Sequence, residues 1–174
     1  MALTLMCGLS FAGKSTLAAR LAEKLDASLI SLDAINEERG LYGGQGIPLE
    51  EWAASDEIAH ERVETLLREG RQVVVDDTGS PRFIRDQWRA SASAAKTDFA
   101  LVWVQIDLAL QRERVNANRE LQQRHDVTDA VLKEHAGSFE SPTDESALVI
   151  DAQDTRDPQR IDQLLAKIRR GPVR

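Results

Sequence analysis

Near its start the chain reads Gly8-Leu9-Ser10-Phe11-Ala12-Gly13-Lys14-Ser15-Thr16. This run fits the pattern G-x-x-x-x-G-K-[ST], in which glycines allow the backbone to wrap closely around a phosphate group. An apolar run (residues 2–7) precedes it and a helical pattern (residues 14–25) follows it, which is the context that the pattern requires. The odds of a chance match in a chain of this length are on the order of one in a hundred. We therefore predict a phosphate loop that binds a nucleoside triphosphate.

Each part of the predicted phosphate loop has its own role toward ATP and Mg²⁺. The backbone N–H groups and the positive end of the following helix dipole attract phosphate oxygens. Lys14 is expected to reach the β- and γ-phosphates as a point charge, and the Ser15 hydroxyl is expected to bind Mg²⁺. The residues of the loop predicted to bind the nucleotide are Gly8, Ser10, Ala12, Gly13, Lys14, Ser15 and Thr16.

Apolar runs and amphipathic stretches alternate along the rest of the chain. The apolar runs predict strands at residues 2–7, 28–32, 72–75, 99–106 and 147–150. The amphipathic stretches predict helices at residues 14–25, 49–69, 81–95, 109–119, 128–137 and 158–169. Strands that are separated by helices predict a parallel sheet covered on both faces. We expect one α/β domain over residues 1–174, a three-layer P-loop NTPase fold with a five-stranded parallel sheet and a small helical lid at about residues 112–128.

The composition excludes several classes of protein. Hydrophobic residues make up 42% of the chain and charged residues 29%, which is typical of a folded soluble protein. No apolar run approaches the ~20 residues needed to span a bilayer, and the first residues do not fit a signal peptide. The single cysteine, Cys7, cannot form an internal disulfide. These features predict a cytoplasmic location without a membrane partner.

The acidic residues are concentrated in one stretch. The chain has 22 basic and 29 acidic residues, which gives a net charge of −7. Residues 33–69 contain ten of the acidic and three of the basic residues, so this stretch accounts for the whole excess. No basic surface for duplex nucleic acid is predicted, and the negative charge favours a neutral or cationic partner. A solvated acidic helix face is the alternative interpretation.

Asp33 directly follows the second predicted strand. In open parallel sheets, ligands lie outside the carboxyl ends of the strands. An aspartate at such a position can accept the proton of an acceptor hydroxyl during phosphoryl transfer, so Asp33 is the predicted base. The alternative is that Asp33 caps the start of a short helix, since aspartate is a favoured N-cap residue.

Two carboxylates end the third predicted strand, in the sequence Val75-Asp76-Asp77-Thr78. We predict that Asp76 holds Mg²⁺ together with Ser15, and that Asp77 and Thr78 face the acceptor. The reverse assignment of the two aspartates stays open. A simple turn is a further alternative, because the residues that follow are rich in turn formers.

Four arginines lie in and just after the predicted helix 109–119: Arg112, Arg114, Arg119 and Arg124. Arginines at this position can fold over ATP and neutralise the charge that develops on the transferred phosphoryl group. We predict this catalytic role for Arg119 and Arg114, and we expect Arg119 to contact the nucleotide. For any single arginine, the alternative is a solvated position on a charged helix.

Together these segments resemble a group of AAA-type ATP-binding small kinases related to polynucleotide kinase, zeta toxins and chloramphenicol phosphotransferase. The resemblance rests on residues 8–16, Leu32-Asp33 with Arg39, residues 75–78, Arg112-Glu113-Arg114 with Arg119, and residues 138–142. It implies that Asp33 activates the hydroxyl, that Asp77 is the strand-end aspartate and that Arg119 or Arg114 is the lid arginine. It also implies that Arg39 contacts the substrate.

The resulting prediction is a P-loop kinase that transfers the γ-phosphate of Mg-ATP to a hydroxyl of a small-molecule acceptor. One alternative is a polynucleotide or nucleotide 5′-hydroxyl kinase. Against it, Arg39 does not follow Asp33 closely, as the arginine of polynucleotide kinases does, and no basic groove is predicted on the acceptor side. The other alternative is an ATP-dependent switch that acts on a protein partner.

Overall fold

The computed structural model describes residues 2–43 and 46–171; the other residues of the predicted domain, at 1, 44–45 and 172–174, lie outside the described part. The strands found there are β1 (Ala2–Cys7), β2 (Ser28–Ser31), β3 (Val73–Asp76), β4 (Asp98–Gln105) and β5 (Leu148–Asp151). The helices are α1 (Lys14–Leu25), α2 (Leu32–Glu38), α3 (Leu49–Arg68), α4 (Arg82–Ala94), α5 (Leu108–Leu121), α6 (Asp129–Ser138) and α7 (Pro158–Arg170). None of these helices is long and apolar enough to cross a membrane.

The strands form one parallel sheet in the order β2-β3-β1-β4-β5. The central strand β1 pairs with β3 on one side and with β4 on the other, so that Thr4 lies opposite both Val74 and Ala100. The predicted fold class, a five-stranded parallel sheet with helices on both faces, is therefore confirmed. Because every strand runs in the same direction, the loops after β1, β2 and β3 meet at one edge of the sheet.

Two apolar layers hold the helices against the sheet. On one face, Leu17 and Leu21 of α1 and Leu165 of α7 pack with buried strand residues. On the other face, Val63 of α3 and Trp88 of α4 pack against the opposite side of the sheet. Each fully buried side chain of this size stabilises the fold by about 1.5–3 kcal/mol. The buried layers thus fix the sheet edge at which the loops meet.

Most predicted boundaries differ from the observed ones by one or two residues, and the start of α2 shows why. The strand predicted to reach Leu32 ends at Ser31, because the Ser31 side chain caps α2 and accepts a hydrogen bond from the Ala34 N–H at 3.4 Å. Asp33 therefore lies in the first turn of α2, and the N-cap alternative for Asp33 is wrong.

A buried ion pair anchors the turn that follows β3. Arg85 of α4 is almost fully buried and donates through Nε to both carboxylate oxygens of Glu145, at 3.1 and 3.0 Å. Its Nη1 also donates to the Gly79 carbonyl at 2.6 Å. The hydrogen bond from Arg85 lowers the pKa of Glu145 to about 2, so the carboxylate stays ionised. This pair holds the backbone next to Asp77 in one position.

Candidate active site

The phosphate loop connects β1 to α1, and two glycines give it a conformation that other residues would not adopt. Gly8 has a φ of 145° and Gly13 a φ of 101°. A Cβ atom at Gly8 would lie 2.5 Å from the carbonyl oxygen of Val104, and one at Gly13 would lie 3.0 Å from Oγ1 of Thr155. The close packing of the loop against β4 and the loop after β5 therefore requires glycine at both positions.

The carbonyl groups of the phosphate loop are bound by nearby side chains. Lys14 Nζ donates to the Leu9 carbonyl at 3.0 Å, and Gln111 Nε2 of α5 donates to the Ser10 carbonyl at 2.9 Å. Arg114 Nη1, also on α5, donates to the carbonyls of Phe11 and Ala12 at 2.9 and 3.0 Å. Since the carbonyls are held in this way, the conformation of the loop is fixed by α5.

Arg114 also joins the phosphate loop to the loop after β5. Its Nη2 donates to the Ala152 carbonyl at 2.8 Å, so the guanidinium connects two loops at the same edge of the sheet. Burial lowers the pKa of this arginine, as expected for a guanidinium surrounded by backbone. Arg114, predicted from sequence as catalytic, contacts the outer side of the phosphate loop.

Asp76 ends β3 beside the start of α1, and its carboxylate accepts a hydrogen bond from the Ser15 side chain. Burial raises the pKa of Asp76, while the hydrogen bond from Ser15 and the charge of Lys14 oppose the shift. Burial lowers the pKa of Lys14, and the charges of Asp76 and Asp77 oppose that shift. A lysine, a hydroxyl and a carboxylate thus meet at the helix N-terminus.

The paired oxygens of Ser15 and Asp76 fit a Mg²⁺ ion. Among the described residues, no group of three or more His, Cys, Asp or Glu side chains could hold a metal. Mg²⁺ nevertheless needs few protein ligands in such sites, because it keeps several waters and binds the phosphates of the substrate. The buried carboxylate of Asp76 would also gain a counter-charge from the ion.

Asp77 lies next to Asp76 but faces a different set of groups. Its Oδ1 accepts a hydrogen bond from the Thr78 backbone N–H at 2.6 Å. Burial raises the pKa of Asp77 to about 6; the Thr78 hydrogen bond and Lys14 lower it, whereas the charges of Asp56 and Asp76 raise it further. Asp56 belongs to α3, so this helix brings an additional carboxylate to the site that the sequence did not indicate.

Asp33 is exposed in the first turn of α2. Its negative charge contributes to the raised pKa of Asp76, so the two carboxylates lie close enough to interact. Strands β2 and β3 are neighbours in the sheet, and Ser31 lies opposite Asp76. The structure therefore brings together Asp33, Asp76, Asp77, Lys14 and Ser15 at one edge.

Arg39, the predicted substrate residue, ends α2 and is bound to α3. Its Nη1 donates to the Glu51 carbonyl at 2.6 Å and to Ser55 Oγ at 2.7 Å, and its Nη2 forms an ion pair with the Glu51 carboxylate. The Ser55 hydroxyl in turn donates to Asn36 Oδ1. Through these contacts, the guanidinium of Arg39 joins α2 to α3.

Arg119 lies near the end of α5 and binds the connection to α6. Its Nε donates to Asp126 Oδ1 at 3.1 Å, and its Nη2 donates to Asp129 Oδ1 at 2.9 Å and to the Val127 carbonyl at 3.1 Å. Arg112 binds the same Asp129 oxygen at 2.9 Å. Arg119 thus lies in the predicted lid, where it contacts acidic residues of the lid itself.

Arg124, in the connection after α5, contacts the ring of a phosphate-loop residue. Its guanidinium carbon lies 4.4 Å from the centre of the Phe11 ring, and its charge contributes to lowering the pKa values of Lys14 and Asp76. Asn118 holds the Arg124 peptide: its side chain donates to the Arg124 carbonyl and accepts from the Arg124 N–H, both at 3.0 Å. Sequence reasoning considered Arg124 but favoured Arg119 and Arg114, because the contact with Phe11 depends on tertiary packing.

His60 of α3 packs against α4. Its ring stacks on Trp88 at a centroid distance of 3.7 Å, and Nδ1 lies 3.0 Å from Ser91 Oγ. Burial lowers the pKa of His60, so it is neutral at pH 7, and it lies 3.7 Å from the Asp56 carboxylate. His60 therefore lies beside Asp56 on α3 and in contact with Trp88 of α4.

Two cavities adjoin the phosphate loop. One of about 80 Å³ lies between the loop and the turn after β3, with Thr78, Pro81 and His135 among its lining residues. The other, of about 530 Å³, lies at the carboxyl ends of β4 and β5 and includes Leu9 and Trp103. The smaller cavity lies beside Thr78, one of the residues predicted to face the acceptor.

Comparison with known protein families agrees with this geometry. The profile of a family described as AAA domain matches residues 3–142, which include the phosphate loop, the strand-end aspartates and the lid arginines. The chain belongs to the AAA domain family. No curated protein sequence matches this AAA-domain chain.

Several solved structures share the fold of this AAA-domain chain. A gluconokinase from Sinorhizobium meliloti is 20% identical, with a TM-score of 0.70 over 97% of this chain and 92% of its own. Kti12 from Chaetomium thermophilum, solved with ADP-AlF3, is 19% identical, with a TM-score of 0.75 over 99% of this chain and 100% of its own. The Mycobacterium tuberculosis APS kinase in complex with AMPPNP and APS is 20% identical, with a TM-score of 0.64 over 97% and 95%.

These likenesses confirm the predicted P-loop NTPase fold. The finer resemblance to polynucleotide kinase, zeta toxins and chloramphenicol phosphotransferase stays a prediction.

Proposed function

We propose that this AAA-domain chain is an ATP-dependent phosphotransferase that moves the γ-phosphate of ATP to a hydroxyl of a small-molecule acceptor. The observation that carries the proposal is the meeting of Lys14 and Ser15 with the carboxylates of Asp33, Asp76 and Asp77 at one sheet edge. A site built only for nucleotide hydrolysis has no need of Asp33 on the acceptor side. The kinase names of the structural neighbours support the same reaction class.

The phosphate loop and α1 bind the nucleotide in this proposal. The N–H groups of Ser10, Gly13 and Thr16 belong to the loop and the helix N-terminus that bind phosphate oxygens. The N–H groups of Gly8 and Ala12 shape the loop instead, because they donate to the carbonyls of Thr78 and Leu9 at 3.0 and 3.3 Å. Lys14 neutralises the β- and γ-phosphates. Its ammonium group already lies at the loop, where it donates to the Leu9 carbonyl.

Ser15 and Asp76 would hold Mg²⁺ at the phosphates. When bound, the ion supplies positive charge to the β- and γ-phosphate oxygens. Asp76 is the metal residue in this assignment because its carboxylate accepts from Ser15, whereas Asp77 faces Thr78 and α3.

Asp33 accepts the proton of the acceptor hydroxyl. The hydroxyl oxygen forms a bond to the γ-phosphorus, the bond between that phosphorus and the bridging oxygen of ADP breaks, and ADP carries the electron pair away. Asp77 and Thr78 orient the acceptor beside the smaller cavity. Because Asp77 has a pKa of about 6, it is mostly ionised at neutral pH.

An arginine of the lid neutralises the charge that develops on the transferred group. Arg119 and Arg114 keep the roles predicted from sequence as hypotheses, and we add Arg124 as the preferred candidate. Arg124 lies over Phe11 of the phosphate loop, whereas Arg114 contacts loop carbonyls and Arg119 contacts Asp126 and Asp129.

The test is a screen for phosphate transfer from Mg-ATP. The panel contains neutral hydroxyl compounds, amine-bearing hydroxyl compounds, phosphorylated alcohols, nucleosides and 5′-hydroxyl oligonucleotides. We expect transfer to a neutral or amine-bearing compound. Transfer to oligonucleotides alone, with salt-sensitive affinity, would support the polynucleotide kinase alternative. Partner-dependent ATP hydrolysis without any phosphorylated product would support the switch alternative.

Two variants control the screen. Asp33→Asn should keep ATP binding but lose about 10²–10⁴-fold in transfer, and near-normal transfer would disprove the assignment of the base. Lys14→Ala should abolish the rise in melting temperature caused by Mg-ATP, because the loop loses its charge toward the phosphates. Lys24→Ala, an exposed lysine of the same helix paired with Asp162, is the matched control and should keep that rise.

A further inference from the structure

Helix α5 contributes a buried neutral side chain to the phosphate loop. Gln111 is 6% exposed, and its Nε2 donates to the Ser10 carbonyl at 2.9 Å across 101 residues of sequence. Neither the sequence pattern nor the proposed chemistry assigns a role to this residue. Gln111 binds a backbone carbonyl of the loop, so we expect any effect on ATP binding to act through the loop.

Because a peptide unit is planar, the contact with the Ser10 carbonyl also sets the direction of the next N–H group. In a trans peptide the C=O and the following N–H point in opposite directions. The Ser10 carbonyl points to Gln111 on α5, so the N–H of Phe11 points away from α5. The next two carbonyls, of Phe11 and Ala12, point to Arg114 in the same way, which turns the N–H of Gly13 away from α5 as well.

Gln111 and Arg114 therefore act on three successive peptide units of one loop. They lie three residues apart and share a face of α5. Arg114 binds two loop carbonyls and the Ala152 carbonyl, whereas the Ser10 carbonyl is held by Gln111. Without a donor at position 111, the Ser10–Phe11 peptide unit would be free to turn, because its part-buried carbonyl would lose this hydrogen-bond partner.

We propose that Gln111 is a positioning residue for nucleotide binding, which fixes the Ser10–Phe11 peptide unit so that its N–H faces the phosphates. The inference rests on the proposed function in that the loop is taken to bind ATP. A glutamine suits this role because its amide donates a hydrogen bond without adding a charge next to Arg114.

The experiment measures MgADP binding by calorimetry for the wild type, Gln111→Met and Gln111→Glu. Methionine fills a similar volume without a donor, and glutamate keeps the shape but presents an acceptor to the Ser10 carbonyl. Asn116→Asp is the matched control, because Asn116 is an exposed amide on the same helix. The melting temperature of each variant without nucleotide reports the stability of the fold.

We expect Gln111→Met to weaken MgADP binding by roughly 5- to 100-fold, and Gln111→Glu by at least as much. In the transfer assay the KM for ATP should rise by a similar factor, while kcat at saturating ATP stays within about threefold. Asn116→Asp should match the wild type in both measurements.

Several outcomes would overturn the inference. Unchanged MgADP affinity in Gln111→Met would do so, whatever its melting temperature. A lower melting temperature with unchanged KM would make Gln111 a packing residue, and so would failure of both variants to fold. A wild type that binds no MgADP would instead overturn the proposed function.

Discussion

At the residue scale, the burial of Asp77 and its proposed role beside the acceptor favour different protonation states of its carboxyl group. Its carboxylate lies at the end of β3, within electrostatic reach of Asp56 and Asp76, and burial raises its pKa from 3.8 to about 6. The folded state therefore favours the neutral acid. The proposed role of Asp77 beside the acceptor uses the ionised form, so the site keeps a charge that the fold disfavours.

Substituting Asp77 should separate these two effects. Because the folded pKa is raised, the contribution of Asp77 to stability is fully present below pH 3.8 and is lost as the pH rises through about 6. Asp77→Asn should therefore be more stable than the wild type by about 1–2 kcal/mol at pH 8, with little difference near pH 4. Urea denaturation at both pH values measures this. Asp144→Asn, at an exposed position, should show no such difference.

At the element scale, the connection between α5 and α6 holds two arginines in different surroundings. Arg119 is bound to Asp126 and Asp129, and Arg124 lies over Phe11 of the phosphate loop. The two arginines are close in sequence, but only Arg124 has a contact with the site. Asn118 at the end of α5 accounts for this difference, because it fixes the Arg124 peptide.

Glutamine substitutions at the two arginines distinguish their roles. Arg124→Gln should lower kcat by about 10²–10³-fold, since a positive charge near the transferred phosphoryl group is lost. Arg119→Gln should lower kcat less than tenfold, because it removes only exposed ion pairs with Asp126 and Asp129, which contribute little. Steady-state kinetics with saturating ATP measures both. The opposite order would restore the assignment made from sequence, with Arg119 as the catalytic arginine.

The same element shows which features of the site can be predicted from the sequence. The phosphate loop and the strand-end position of Asp33 could be predicted, because a local motif and the common edge of a parallel sheet determine them. The contacts of Gln111, Arg124 and Asp56 could not be predicted, because each depends on how a helix packs against a loop far away in sequence. The predicted role of Arg39 illustrates the same limit, since its partners lie on α3.

At the scale of the whole molecule, the net charge of −7 comes from one stretch, residues 33–69. Two of the three basic residues in the acidic stretch form ion pairs with glutamates of the same stretch: Arg39 with Glu51 and Arg62 with Glu38. Asp33 and Asp56, in the same stretch, lie within electrostatic reach of Asp76 and Asp77, respectively, and Asp33 is the proposed base on the acceptor side. The acceptor side is therefore expected to attract cations and to repel anions.

This charge distribution predicts how salt affects the reaction. For an amine-bearing acceptor, kcat/KM should fall severalfold as NaCl rises from roughly 0.05 to 0.5 M, because the Debye length shortens. For a neutral acceptor, kcat/KM should change little over the same range. Equal salt dependence for both acceptors would mean that the acidic stretch is only a solvated face.

The hydrogen bonds between α5 and the phosphate loop have one more consequence. One end of α5 binds the loop through Gln111 and Arg114, and its other end leads into the connection that carries Arg124. A ligand that moves this connection must therefore also act on the loop. By thermodynamic linkage, an acceptor that tightens ATP binding through α5 is itself bound more tightly, by the same factor, once ATP is in place. In the proposed reaction, α5 would in this way couple the binding of the two substrates.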